Sequence, residues 1–146
     1  RMTNLQAALG VAQMEKLSEF IKRKQKNFEQ YKNEFEGFEF GTLMSFRDGT
    51  DSNKWFYSIN IDRTRISTSM RKIIMSLRDR GIETRAIWGL INEQKPYERE
   101  ATYKLEKAPY YASRILNIPS STQILEEEIK YVADEVKQLL RVLANG

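Results

Sequence analysis

Apolar residues recur at steps of three and four from the start of the chain: Leu5, Ala8, Leu9, Ala12, Leu17, Phe20, Ile21, Phe28, Tyr31 and Phe35, with Lys24 in the same stripe. That spacing predicts one long helix over 4–35, stopping before Gly37. Thr3 and Gln6 have the separation of a capping box, in which hydroxyl and amide each take a free backbone N–H at the helix start. Ala7 and Val11 lie off the stripe, so the first turns are apolar nearly all round. Burial on two sides is expected there.

Beyond Gly37 the period shortens to two. Phe38 and Phe40 flank Glu39, and Trp55, Tyr57, Ile59 and Ile61 alternate with Phe56, Ser58, Asn60 and Asp62, which predicts two strands. The polar run Arg47–Asn53 between them reads as a surface loop. Ile66, Met70, Ile73, Ile74 and Leu77 share a helical face that ends at Gly81, and residues 82–87 read as a short strand. Periodicity then fails over 89–107, a segment with Pro96 and exposed-type aromatics that is the natural place for specificity. A short helix from Pro109 through Ile115, a strand at Leu116–Ile118 and a last helix introduced by Pro119-Ser120-Ser121-Thr122 complete the chain. Ile124, Leu125, Ile129, Val132, Val136, Leu139 and Leu140 mark the apolar face of that helix. The order α, β, β, α, β, loop, α, β, α predicts an α+β fold. A long N-terminal helix stands beside a small, mostly antiparallel or mixed sheet with helices on one face. A single domain is expected, with the helix over 4–35 packing on a sheet-and-helix unit over 38–144.

Composition narrows the chemistry. The 146 residues contain no His and no Cys, which removes Ser-His-Asp and Cys-His sites, zinc fingers, HExxH metal sites and disulfides from what the chain alone can build. No metal site is expected. No apolar run approaches the length of a membrane span and no signal segment opens the chain, so a cytoplasmic protein without membrane attachment is the expectation. The start Arg1-Met2-Thr3 enters a helix at once, and a fragment of something longer is expected.

The charge balance is mild, 24 Lys and Arg against 20 Asp and Glu. The run Lys22-Arg23-Lys24-Gln25-Lys26 has the charge to meet phosphates, but acids follow at Glu29, Glu34 and Glu36, and a solvated helix face is the simpler reading. Nucleic acid is not an expected partner. Glu126-Glu127-Glu128 opens the last helix, where acids complement the helix dipole. No glycine-rich phosphate loop occurs, and Gly10 among Ala7, Ala8 and Ala12 marks a place where another chain can approach closely. The stretch Arg85 to Tyr97 holds a guanidinium, an indole, an amide, an ammonium and a phenol. Such a set suits a ligand with a diphosphate and rings, although Trp88 in the core and Lys95 in solvent fit the spacing equally well.

Arg1-Met2-Thr3-Asn4-Leu5-Gln6-Ala7-Ala8-Leu9-Gly10, continuing through Gln13 and Leu17, resembles the opening of the C-terminal part of the DegT-type sugar aminotransferases. Gly81-Ile82-Glu83-Thr84-Arg85, Pro96-Tyr97 and Leu116-Asn117-Ile118-Pro119-Ser120-Ser121, then the acid-led last helix, extend the resemblance in order over essentially the whole chain. Trp88–Tyr97 and Glu106–Tyr111 look most like the branch serving legionaminic acid and bacillosamine-type sugars.

The resemblance implies the C-terminal domain of the aspartate aminotransferase fold (type I). It also implies an enzyme moving an amino group from glutamate to a keto-deoxy sugar nucleotide with pyridoxal phosphate. In such proteins the Schiff-base lysine and most of the cofactor site lie upstream of the motif at Arg1. The chain alone is therefore expected to be inactive, with no catalytic residue of its own, no bound cofactor and the pyridoxal-phosphate-binding N-terminal domain absent. The resemblance further implies a homodimer, with Arg1 and Asn4 near the cofactor phosphate of the other subunit. Substrate contact is assigned to Arg85, Trp88, Asn92, Lys95 and Tyr97, Arg85 lying on the diphosphate or in a structural ion pair. Asn92 stands near a position where such enzymes often carry histidine, so no group in this loop titrates near neutral pH. A stand-alone module that binds a sugar nucleotide, a partner subunit or nucleic acid is the alternative.

Overall fold

The structure, a computed structural model, describes residues 1–145. Its elements are α1 (Asn4–Glu34), β1 (Gly41–Leu43), β2 (Tyr57–Ile61), α2 (Met70–Arg78), β3 (Arg85–Ala86), a 3-10 turn at Ile91–Glu93, α3 (Lys107–Ala112), β4 (Ile115–Ile118) and α4 (Glu126–Ala144). This is the expected order. The capping box forms, with the Gln6 N–H donating to Thr3 Oγ1 at 3.3 Å and the Thr3 N–H to Gln6 Oε1 at 2.9 Å. Gly81, at φ +76°, closes α2: its N–H reaches the Arg78 carbonyl and that of Ile82 the Leu77 carbonyl, bonds that satisfy the free end of a helix.

The strands form one four-stranded sheet in the order β1-β2-β4-β3, and each pairing is antiparallel. Alternation along β2 sends Tyr57, Ile59 and Ile61 to one face, where they meet Leu116 and Ile118 of β4. Phe28 and Tyr31 of α1, Ile73 and Leu77 of α2, and Ile129, Val136 and Leu140 of α4 cover that inner face in one buried cluster. The opposite, outer face carries Thr42, Ser58, Asn60, Asn117 and Arg85. Ile115, although buried, stands apart from the inner cluster.

Several boundaries differ from the pattern-based expectation. Phe38 lies between two turns and Phe40 in the second, both rings buried and edge-on to each other at 5.7 Å, so two inward rings imitate strand alternation. The strand begins only at Gly41, where a Cβ would meet Ile59 Cγ2 at 3.0 Å. β3 is confined to Arg85–Ala86, since Ile82 and Thr84 are buried without ladder partners. α3 starts before Pro109 and stops at Ala112, leaving Ile115 to β4. Leu125 ends up as the exposed residue before α4.

The largest correction concerns the first turns of α1. Leu5, Leu9, Val11, Met14 and Leu17 are exposed, Leu5 at 81%. Among the described residues the buried positions of α1 are Asn27, Phe28 and Tyr31 in its C-terminal part, so the apolar first turns find nothing to pack on within this chain.

The basic run also differs from a solvated face. Lys24 Nζ donates to the carbonyls of Trp55 (2.6 Å) and Ser120 (2.5 Å), Arg23 to that of Thr122, and Lys26 pairs with Glu126 at 2.5 Å. With Asn27 on the Ser121 carbonyl and Gln30 on that of Glu126, α1 satisfies the backbone of the segment between β4 and α4. Burial lowers the Lys24 ammonium below its usual range. Glu126 is held low by its hydrogen bond to Lys26, and Glu128 takes the Leu125 N–H at 2.8 Å, so two of the three acids have structural partners.

Candidate functional site

The inner-layer helices α1, α2 and α4 pack on one side of the sheet, which leaves its outer face to other contacts. Pairing register aligns Ser58, Asn117 and Arg85 in a row across β2, β4 and β3. Ser58 Oγ donates to Asn117 Oδ1 at 2.6 Å, which fixes the amide. Arg85 projects from the edge strand, exposed, and among the described residues it makes no ion pair and no hydrogen bond. The structural ion pair left open by the sequence is therefore not formed with any of the described residues. A guanidinium kept free beside neutral polar groups presents its donor fork to a phosphate or carboxylate.

After Ala86 the chain leaves the sheet edge. Trp88 is 66% exposed, so no core within the described residues holds it, and its ring lies 5.4 Å from Phe56 and 6.2 Å from Trp55. The segment 89–108 then folds over itself around a cleft of about 530 Å3, lined mainly by apolar groups such as Leu90, Tyr97, Tyr103 and Leu105, with Asn92 among them. The Tyr97 N–H donates to the Gln94 carbonyl at 2.8 Å, a tight turn within the segment whose Asn92 and Tyr97 both line the cleft. Lys95 is exposed and stands outside that lining.

The predicted substrate residues therefore fall into two groups: Arg85 and Trp88 on the outer sheet face, Asn92 and Tyr97 in the adjoining cleft. Lys95 joins neither. Arg1 and Asn4 sit exposed at the far end of α1, and no hydrogen bond ties either to the sheet or the loop among the described residues. Trp55, Phe56, Ser58 and Asn117 are neighbours that sequence reasoning left as plain strand residues. The signal for them is the doublet Trp55-Phe56 at the start of an alternating strand, where one ring must point away from the core.

Residues 1–137 match the sequence profile of the DegT/DnrJ/EryC1/StrS aminotransferase family. The chain belongs to that family. The GDP-perosamine synthase of Vibrio cholerae is 29% identical over 142 residues, a match covering 94% of this chain but 37% of the relative. The chain thus spans little more than a third of the length of such aminotransferases. Among solved structures, DesI, determined in the presence of its TDP-sugar product, superposes with a TM-score of 0.88 at 22% identity over 95% of this chain and 36% of DesI. Spr1654 from Streptococcus pneumoniae in its PLP form gives 0.85 at 19% identity over 98% of this chain and 37% of that one. These superpositions show the fold: a long helix with an antiparallel sheet and its helices is the architecture this aminotransferase family shares over the matched segment.

No helix of the described chain is long and apolar enough to cross a membrane. Among the described residues no three acidic side chains gather into a cluster that would hold a metal ion.

Proposed function

We propose that this chain is the C-terminal part of a pyridoxal-phosphate-dependent aminotransferase that transfers an amino group from glutamate to a keto-deoxy sugar nucleotide. The observation that carries this reading is the family match over residues 1–137. The relatives, a GDP-perosamine synthase and DesI solved in the presence of its TDP-sugar product, support a nucleotide-linked sugar as substrate. The segments Trp88–Tyr97 and Glu106–Tyr111 point to the legionaminic acid and bacillosamine type of sugar. The enzyme works as a homodimer in the cytoplasm, without nucleic acid or membrane as partner.

The residues present do not by themselves fit the cofactor. Pyridoxal phosphate needs a free lysine and a phosphate cradle in one enclosed place, whereas the half-buried Lys24 is committed to two backbone carbonyls and Arg1 and Asn4 stand exposed and apart. The Schiff-base lysine belongs to the remainder of the protein, and residues 1–146 alone are inactive. When bound there, the cofactor supplies the electron sink that amino transfer requires.

This chain's own contribution is to hold the substrate. Arg85 binds the diphosphate, Trp88 packs on a ring, and Asn92 and Tyr97 hydrogen-bond sugar or nucleotide hydroxyls from the cleft, with Lys95 adding charge at its rim. Arg1 and Asn4 serve the cofactor phosphate of the other subunit. The exposed apolar half of α1 is covered by the remainder of the protein.

The test is transamination by the full-length protein loaded with pyridoxal phosphate, given glutamate and a keto-deoxy nucleotide sugar. Formation of 2-oxoglutarate and of the amino sugar is expected, with none from residues 1–146 alone. No amino transfer to any keto nucleotide sugar overturns the proposal.

A further inference from the structure

The chain's only two tryptophans stand together at the surface. Trp55 and Phe56 are 4.5 Å apart at a 30° tilt, and Trp88 meets Phe56 nearly edge-on. Both indoles are about two-thirds exposed, 64% and 66%, although the hydrophobic effect favours hiding rings of this size.

The backbone behind Trp55 is tightly held. Its carbonyl accepts from Lys24 Nζ and, at 3.0 Å, from Ser120 Oγ, and its N–H donates to Asn53 Oδ1 at 3.1 Å. Lys54, just before it, takes the left-handed backbone region at φ 53°, and its ammonium lies 3.8 Å from the centre of the Phe46 ring. The chain thus accepts an unfavourable backbone conformation and commits a half-buried lysine to fix a residue whose ring stays 64% exposed beside Phe56 and Trp88. A ring fixed from behind and open in front is built to receive a flat partner.

We propose that Trp55, Phe56 and Trp88 form a stacking platform for the base of the nucleotide, with the unpaired Arg85 of the same outer face taking the diphosphate. This rests on the sugar-nucleotide reading above and adds the base subsite to it. The pairing of an aromatic surface with one free guanidinium matches a ligand that joins a planar ring to a dianionic linker. Every base has a π face, so stacking does not choose among them. The platform therefore supplies affinity, and the choice of base is made elsewhere.

The experiment uses the full-length protein carrying pyridoxal phosphate, with binding of UDP, TDP, GDP and inorganic pyrophosphate measured by calorimetry. Trp55→Ala is expected to weaken whichever nucleotides bind by about tenfold, the scale of one base–aromatic stack, leave pyrophosphate unchanged, and raise KM for the nucleotide sugar with little change in kcat. Trp55→Phe restores most of the affinity. Unchanged nucleotide binding in Trp55→Ala, an equal loss for pyrophosphate, or a change in oligomeric state without a change in nucleotide affinity overturns the platform. If wild-type protein aminates keto nucleotide sugars while Trp55→Ala binds normally, the platform alone fails. If wild type binds no nucleotide and aminates no nucleotide sugar, the reading beneath it fails as well.

Discussion

The two faces of the sheet are made by the same strands and serve opposite ends. On the inner face Tyr57, Ile59 and Ile61 are fully buried under α1, α2 and α4; on the outer face Ser58, Asn60, Asn117 and Arg85 remain polar and partly or wholly accessible. The inner face holds most of the folding energy, because each side chain there loses its water to well-packed neighbours. The outer face, Ile115 apart, leaves its hydrogen-bonding and charged groups accessible, as the proposed substrate binding requires. Alternation by single residues lets one strand carry both tasks, so substitutions one position apart are expected to give different kinds of damage.

The strongest break is on the inner face. Ile59→Ala is expected to cost about 2–5 kcal/mol, the usual penalty for truncating a large buried aliphatic, read as a lower midpoint in thermal or urea unfolding. Asn60→Ala, its outer neighbour, should stay within about 0.5 kcal/mol. Lys24→Met comes next. It strips the donor from the Trp55 and Ser120 carbonyls and should cost about 1–3 kcal/mol, with nucleotide affinity falling as Trp55 loosens. Arg85→Ala sharpens the comparison from the other side: affinity for a nucleotide sugar should drop about tenfold or more, as expected for a lost charge-assisted contact, while the unfolding midpoint hardly moves.

The smallest effect is electrostatic. Glu126 is depressed by its hydrogen bond to Lys26, and Asp62 by its bonds to the Thr64 hydroxyl and N–H. A carboxyl with a lowered folded pKa stabilises the protein above the unfolded carboxylate pKa, and that contribution disappears as pH falls through the lowered value. Glu126→Gln should therefore lower stability slightly at neutral pH and flatten a small part of the acid limb, with variant and wild type converging at low pH.

The element order was legible because each segment carries the period of its structure, and the helix ends carry Thr3, Gly37 and Gly81. The errors have one origin. A period reports which side chains are buried and not whether the backbone is paired, so Phe38 and Phe40 imitated a strand and residues 82–84 lengthened β3. Lys24 was legible as a member of the apolar stripe, yet its two carbonyl partners come from segments far away in sequence. The outer half of α1 read as buried because its residues are apolar, and what such residues pack against lies beyond any local pattern. For the proposed site, Arg85 and Trp88 stood out through their company in one segment, whereas Trp55 and Phe56 did not, because only the fold brings them to Trp88.

The claim that the outer face and its loop hold the substrate is tested most directly by hydrogen exchange on the full-length, pyridoxal-phosphate-loaded protein, with and without a keto nucleotide sugar that it turns over. Added protection over residues 55–58 and 85–97, with α4 and the inner half of α1 unchanged, is the predicted result. Protection that leaves 85–97 untouched and falls on other parts of this chain would contradict it.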